Sequence, residues 1–376
     1  MTIKRFSSGF SLVELMVGII IALLGSLVIL QVFSITEQSK QTTTSGSDAQ
    51  QNGALAMLLM DKDMRQAGYG MNVTACTGPC AGSGFMGGTV NINDSGPRTV
   101  AATPFVFAPI LIMQGAANAP DTIVVSYGNA ATTSVPEYTR GDMRSGTDSI
   151  NVNSNNMETY SVYGYSLGDV LVLADATTGT GDVIQYSGAD NTDDRVKHET
   201  GSYQLGPVTQ AFRYNDGVLP VYGGGSLLFN LGPAPVNNSY SIVQDSAGRR
   251  NLVQTNNMTG SQSIIAADIV DLQAEYGKDT DNDDVIETWD TVTPTGANFA
   301  ALNSAWEQVK AVRYGLVARS IKREPACNVT TTLPVWRPDG TTTKTFSNVG
   351  TNADWQCYRY RVFETTNVLR NLIWTP

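Results

Sequence analysis

The sequence predicts an α+β fold: one long N-terminal helix, half membrane-crossing and half amphipathic, packed on a mainly antiparallel β head with large loop insertions. Three observations predict it. An apolar run spans Phe10 to Leu30, and an apolar stripe at helical spacing follows it. Beyond Gly68 the pattern changes to short β-type runs separated by turn residues. The expected divisions are a leader at 1–9, a membrane helix at 10–33, a stalk helix at 34–68 and a β-rich head at 69–376.

Composition bounds the class. The chain has 376 residues, of which 41% are hydrophobic, enough for a real core. Only 15% are charged, and Gly is abundant at 36 residues, so hydroxyls and amides carry the surface, as suits an exported β-rich protein. The net charge of −10 argues against a nucleic-acid partner, since that affinity rests on cations neutralising phosphates. Four cysteines occur, Cys76, Cys80, Cys327 and Cys357. An even number in an exported chain favours two local disulfides, Cys76–Cys80 and Cys327–Cys357, over two other connectivities or four buried thiols. One CxxxC pair and a single histidine, His198, do not make a zinc site.

The first element is the apolar run. Its twenty-one residues from Phe10 to Leu30 would span roughly 31 Å as a helix, the thickness of a bilayer's hydrocarbon core. Lys4 and Arg5 precede it and keep the N-terminus cytoplasmic, leaving the chain after Phe33 outside. The run is too long for a secretory signal peptide, and no small-residue cleavage site follows it. A plain anchor does not account for Glu14. A carboxylate that deep in a membrane helix costs about 2.5–3.5 kcal/mol, so its retention argues for function.

Gly9-Phe10-Ser11-Leu12-Val13-Glu14 resembles the processing motif of the type IV prepilins: Gly, then a hydrophobic residue, then Glu at the fifth mature position. The resemblance implies cleavage between Gly9 and Phe10 by a prepilin peptidase, N-methylation of Phe10 and a part for Glu14 in assembly. A buried anion needs a partner, and the new α-amino group of a neighbouring subunit's Phe10 supplies one. The pairing also sets axial register.

The stalk is the second element. Gly53, Met57, Met60, Met64 and Ala67 form one apolar face, with Asp61, Lys62, Asp63 and Arg65 off it and Gly68 as a stop. Thr42 to Gly46 are poor helix formers, and Ser47 with Gln50 reads as a fresh capping box, so a break near Gly46 is expected.

The head is the third. Strands are expected at 122–127, 169–174, 182–186, 226–231, 241–244, 269–276, 309–319 and 358–364. In the strand at 309–319, Val312, Tyr314, Leu316 and Ala318 share one face, with Arg313 and Arg319 on the other. The Gly-rich segment 74–103 reads as a long loop. Asp61 to Gly70, Ala311 to Ser320 and Tyr360 to Asn371 are similar to the PilW family of minor pilins, with the middle of the head unmatched.

One segment has the ligand spacing of a twelve-residue calcium loop. Asp279, Asp281 and Asp283 fall at positions 1, 3 and 5, the Val285 carbonyl at 7, Glu287 at 9 and Asp290 at 12. Position 6 is Asp284 where Gly is usual, and strand-like flanks exclude an EF-hand. Calcium is the cofactor this loop would take. Gly82 to Gly87 fits a dinucleotide fingerprint by letter but opens no helix. Gly164 to Gly168 fits a nucleophile elbow, yet a strand is expected next, and no catalytic constellation accompanies it.

The resemblance thus implies a minor pilin that promotes pilus assembly near the fibre tip. Its partners would be other minor and major pilins, the peptidase, the inner membrane and a tip adhesin. The alternatives are a minor pseudopilin of type II secretion and a tip adhesin that binds through its insertions.

Overall fold

The computed structural model describes residues 11–71, 84–94, 103–131, 136–152, 164–190, 195–324, 327–337, 340 and 343–373. Helix α1 (Leu12–Met64) runs for 53 residues without a break, about 80 Å at 1.5 Å per residue. The expected interruption at Gly46 is therefore corrected. Weak formers cost well under 1 kcal/mol each and Gly about 1, too little to stop propagation between two strongly helical flanks. Ser47 caps nothing; its hydroxyl accepts from Gln51 one turn on, 3.2 Å away, inside the helix. In the apolar half, the Ser26 and Thr36 hydroxyls donate to the carbonyls of Leu23 and Val32, one turn back in the helix.

The helix stops at Met64, four residues before the expected end, and tight turns carry the chain to Gly70. Gly68 (φ +80°) and Gly70 (φ +76°) take the left-handed conformation these turns need. The Gly68 N–H donates to the Ser126 carbonyl (2.9 Å), which ties the turn to the head.

The head begins with β1 (Gly88–Ile92), β2 (Phe105–Phe107), β3 (Ile110–Met113), β4 (Thr122–Tyr127), β5 (Glu137–Tyr138) and β6 (Ile150–Asn151). It continues with β7 (Val170–Asp175), β8 (Thr180–Gln185), β9 (Gly188–Asp190), β10 (Arg195–Lys197), β11 (Ser202–Leu205) and β12 (Val208–Ala211). Then come β13 (Leu227–Gly232), β14 (Val236–Gln244), β15 (Arg250–Asn256), β16 (Gln262–Ala267) and β17 (Ile269–Lys278). The last elements are β18 (Thr288–Asp290), α2 (Phe299–Glu307), β19 (Val309–Arg319), β20 (Val335–Trp336), β21 (Lys344–Thr345), β22 (Tyr360–Val368) and α3 (Arg370–Ile373).

Three sheets dominate, with strand orders β2-β1-β8-β7-β13-β5, β16-β15-β14-β4-β3 and β18-β17-β19-β22. Pairing among the described residues is antiparallel except between β1 and β8. The middle of the head, among the described residues, carries strands in the regions where the sequence places them. The 74–103 segment, expected as loop, contains β1, with Val90 fully buried. Its glycines hid the strand: Phe85 fills the space where a Gly88 side chain would stand.

Both faces of the six-stranded sheet are covered. Val170, Val172 and Ala174 join the main core, while Leu171 and Leu173 join a second core with Ile150, Ile184 and Val196. That explains why β7 reads as an unbroken apolar run. The four-stranded sheet is covered twice as well. Its inner face meets α1, and its outer face meets Trp336, Phe346 and Val349. Helix α1 rests on β16, β19 and β22, its stripe buried at Met60 and Met64. Phe363 of β22 occupies the place a side chain at Gly53 would take.

Candidate functional site

Ser11 is extended (φ −67°, ψ 143°), and Glu14 stands in the first turn of α1. There the helix N-terminus favours a negative charge. Every side chain from Leu12 to Glu37 is exposed, and this segment is long and apolar enough to cross a membrane. Gly9 and Phe10 lie outside the described residues, as do Cys76 and Cys80.

The second half of α1 is seated on the head. Asp63, placed off the apolar stripe by its sequence spacing, is only 7% exposed. It falls one turn from Met60 and Ala67, close enough to the stripe to be carried into the interface. Its Oδ1 accepts from the Tyr127 hydroxyl (3.0 Å). Its Oδ2 accepts from the Tyr240 hydroxyl (2.6 Å), the Asn238 amide (3.0 Å) and the Gln254 amide (3.4 Å). Burial, then the Asp63 charge, pushes the Tyr127 phenol above its ordinary value; burial and the hydrogen bond to Asp63 do the same at Tyr240.

Around the four-stranded sheet, the arginines of β19 face a covered layer. Arg313 donates to Glu275 through Nε (2.8 Å) and stacks on Trp289, 4.4 Å from the ring centre. Lys344 pairs with the same Glu275. Arg319 pairs with Asp268 (2.7 Å) and lies 4.5 Å from the Tyr358 ring centre. The bonded pair Cys327–Cys357 ties the covering segment across 30 positions. Asp271 is fully buried on β17, and its Oδ2 accepts no hydrogen bond among the described residues. Desolvation raises its carboxyl to about 7.

The acidic loop joins β17 to β18. Carboxylate oxygens of Asp279, Asp281, Asp283 and Glu287 all lie within 4.8 Å of one another. Calcium–oxygen distances of about 2.3–2.6 Å allow ligands of one ion to be up to about 5 Å apart, so the donor set fits a calcium ion. Asp279 is buried and accepts the N–H groups of Asn282 (2.6 Å), Asp283 (3.2 Å) and Asp284 (3.0 Å). Asp284 takes φ +65°, the conformation for which Gly is usual at that position. Desolvation, then repulsion from Asp283 and Glu287, raises the Asp281 carboxyl. The Val285 side chain points to solvent, and its N–H donates to Asp283 (2.9 Å). Asp290 is corrected: it leaves the cluster for Lys278, whose ammonium lies 2.8 Å away.

Two fortuitous motifs fall into structural places. Gly87 leads into β1, and Gly168 into β7 with Tyr203 packed against it. His198 is buried with Nε2 2.8 Å from the Asp148 carbonyl, and burial lowers its pKa.

Residues 239–371 match the family model PilW, described as Type IV Pilus-assembly protein W. The chain is PilW-like. The match ties this PilW-like chain to type IV pilus assembly and spans β16, β19 and β22, the strands that seat α1. Neither a curated protein nor a solved structure matches it.

Proposed function

We propose that the chain is a minor pilin of a type IV pilus, acting near the fibre tip with other minor pilins. One observation carries this reading. The PilW-matched segment holds the half of α1 that is packed, while the other half presents an apolar surface with nothing of its own chain upon it. In the precursor that half anchors the subunit in the inner membrane, N-terminus cytoplasmic and head periplasmic. A prepilin peptidase cuts after Gly9, and Phe10 is methylated on its new amine. On entry to the fibre the apolar half joins the helical bundle of major and minor pilins. Glu14 then meets the amine of a neighbouring subunit, so that each charge offsets the other's desolvation. Asp279, Asp281, Asp283 and Glu287 would hold calcium, which supplies the positive charge that lets four acids share one turn.

The test is intact mass of the membrane-extracted protein, with Glu14→Ala scored separately for cleavage and for surface fibres. The expected result is a mature chain starting at methylated Phe10, and a variant that is cleaved but bears few fibres. A mature protein that keeps residues 1–9 overturns the reading. The part of the head before residue 239 lies outside the PilW match, and its exposed β11–β12 hairpin is the natural place for an adhesive surface. Fibres retained but attachment lost after removal of the β11–β12 hairpin would favour a tip adhesin. Loss of secretion in place of fibres would favour a type II pseudopilin.

A further inference from the structure

The face of α1 that meets the head is lined by Ala49, Ala56, Met60 and Met64. Such a stripe nearly repeats itself every turn, and small or flexible side chains specify a position poorly. One steric mark stands on it. Phe363 seats where Gly53 leaves room, and an ideal Cβ there would lie 2.0 Å from the ring. A single seat fixes a point and leaves the helix free to swivel about it. Asp63 is the second mark, ten positions on and roughly 15 Å away along the axis.

Its carboxylate takes four hydrogen bonds from β4, β14 and β15, and every donor is neutral. Apolar residues in place of the acid and its four donors together would suit the core as well or better, so stability alone does not explain a buried charge. Displacement does. Any swivel or slide of α1 would strand a charged oxygen among alanines and methionines and leave four buried donors unmet. We infer that Asp63 is a positioning residue, which fixes the direction and rotation of α1 relative to the head with Gly53–Phe363 as the pivot. The consequence for assembly rests on the pilin reading. Asp63 and Glu14 lie 49 residues apart on one helix, about 74 Å, so one sets the subunit in the bundle and the other sets the head on the subunit.

The test uses the full chain in detergent micelles, with spin labels carried by non-natural residues at Ser34 and Gln262, both exposed. Ser34 lies 19 residues before the pivot, so a small swivel becomes a large displacement. Pulsed-EPR distances are expected to be narrow in the wild type. In Asp63→Leu they should broaden severalfold, and Tm should fall because four buried donors lose their acceptor. Tyr240→Phe, which removes the shortest of the four bonds, should broaden them less. A narrow, unshifted distribution in folded Asp63→Leu overturns the inference. If that variant does not fold, an unchanged distribution in Tyr240→Phe does so. These distances read the chain alone, so they can fail while the pilin reading stands, and the reverse.

Discussion

The two halves of α1 share one backbone and differ in what completes them. From Leu12 to Glu37 every side chain is exposed; from Ala49 to Ala67 the inward face is buried against three strands. The second half is finished by its own chain, and the first is left uncovered, long and apolar enough to cross a membrane. A continuous helix can therefore belong to two different solvents, with the boundary set by what packs on it and not by any break in its hydrogen bonds.

All five tryptophans lie beyond residue 288, so their fluorescence follows the head and not the exposed half of α1. Denaturation read this way sharpens the comparison. Met60→Ala should lower stability by about 2–5 kcal/mol, because the fully buried Met60 leaves a cavity under the helix.

Asp271 gives a pH test of the same interior. Its folded carboxyl stands at about 7 against an ordinary 3.8, so the folded state holds the proton more tightly. Its contribution is fully present below about pH 4 and is lost as pH rises towards 7. Asp271→Asn should match the wild type near pH 4 and exceed it at pH 8, by up to about 4 kcal/mol. A pH-independent difference would contradict this.

Opening the clasp with Cys327→Ser and Cys357→Ser should cost about 3–4 kcal/mol, from the loop entropy of 30 positions. Calcium at a hundred times its Kd should stabilise the head by about 2.7 kcal/mol, and Asp281→Asn should reduce that gain. No movement of the midpoint with millimolar calcium would end the cation proposal. The smallest effect is Leu24→Ala, expected within about 0.5 kcal/mol in the head while fibre yield falls. A large loss of head stability there would break the comparison itself.

Much of this was legible in the sequence. The strands expected at 122–127 and 309–319 occur to the residue, because each is bounded by turn residues and carries β-branched or aromatic side chains. The stripe on α1 was legible because its apolar residues recur at steps of three and four, even though Leu55 and Leu58 stand exposed beside it. Strand β1 was hidden by glycines that exist to admit Phe85 and Trp306. Helix α2 was hidden by its brevity, although Asn298 caps it through the Ala301 N–H. Arg313 and Arg319 pointed to an outward face; the cover over them comes from a segment whose own pattern is irregular. Asp63 was the plainest miss. A lone acid beside Asp61 and Lys62 looks solvated until its four donors, distant in sequence, are brought to it.

The contact between Gly53 and Phe363 joins positions 310 residues apart. The seat of α1 is thus built from a strand synthesised long after the helix itself. During synthesis the helix must wait for β22, a contact distant in sequence, before its seat is complete. A stop codon before Tyr360 would remove all of β22 and leave α1 without one of the strands that seat it.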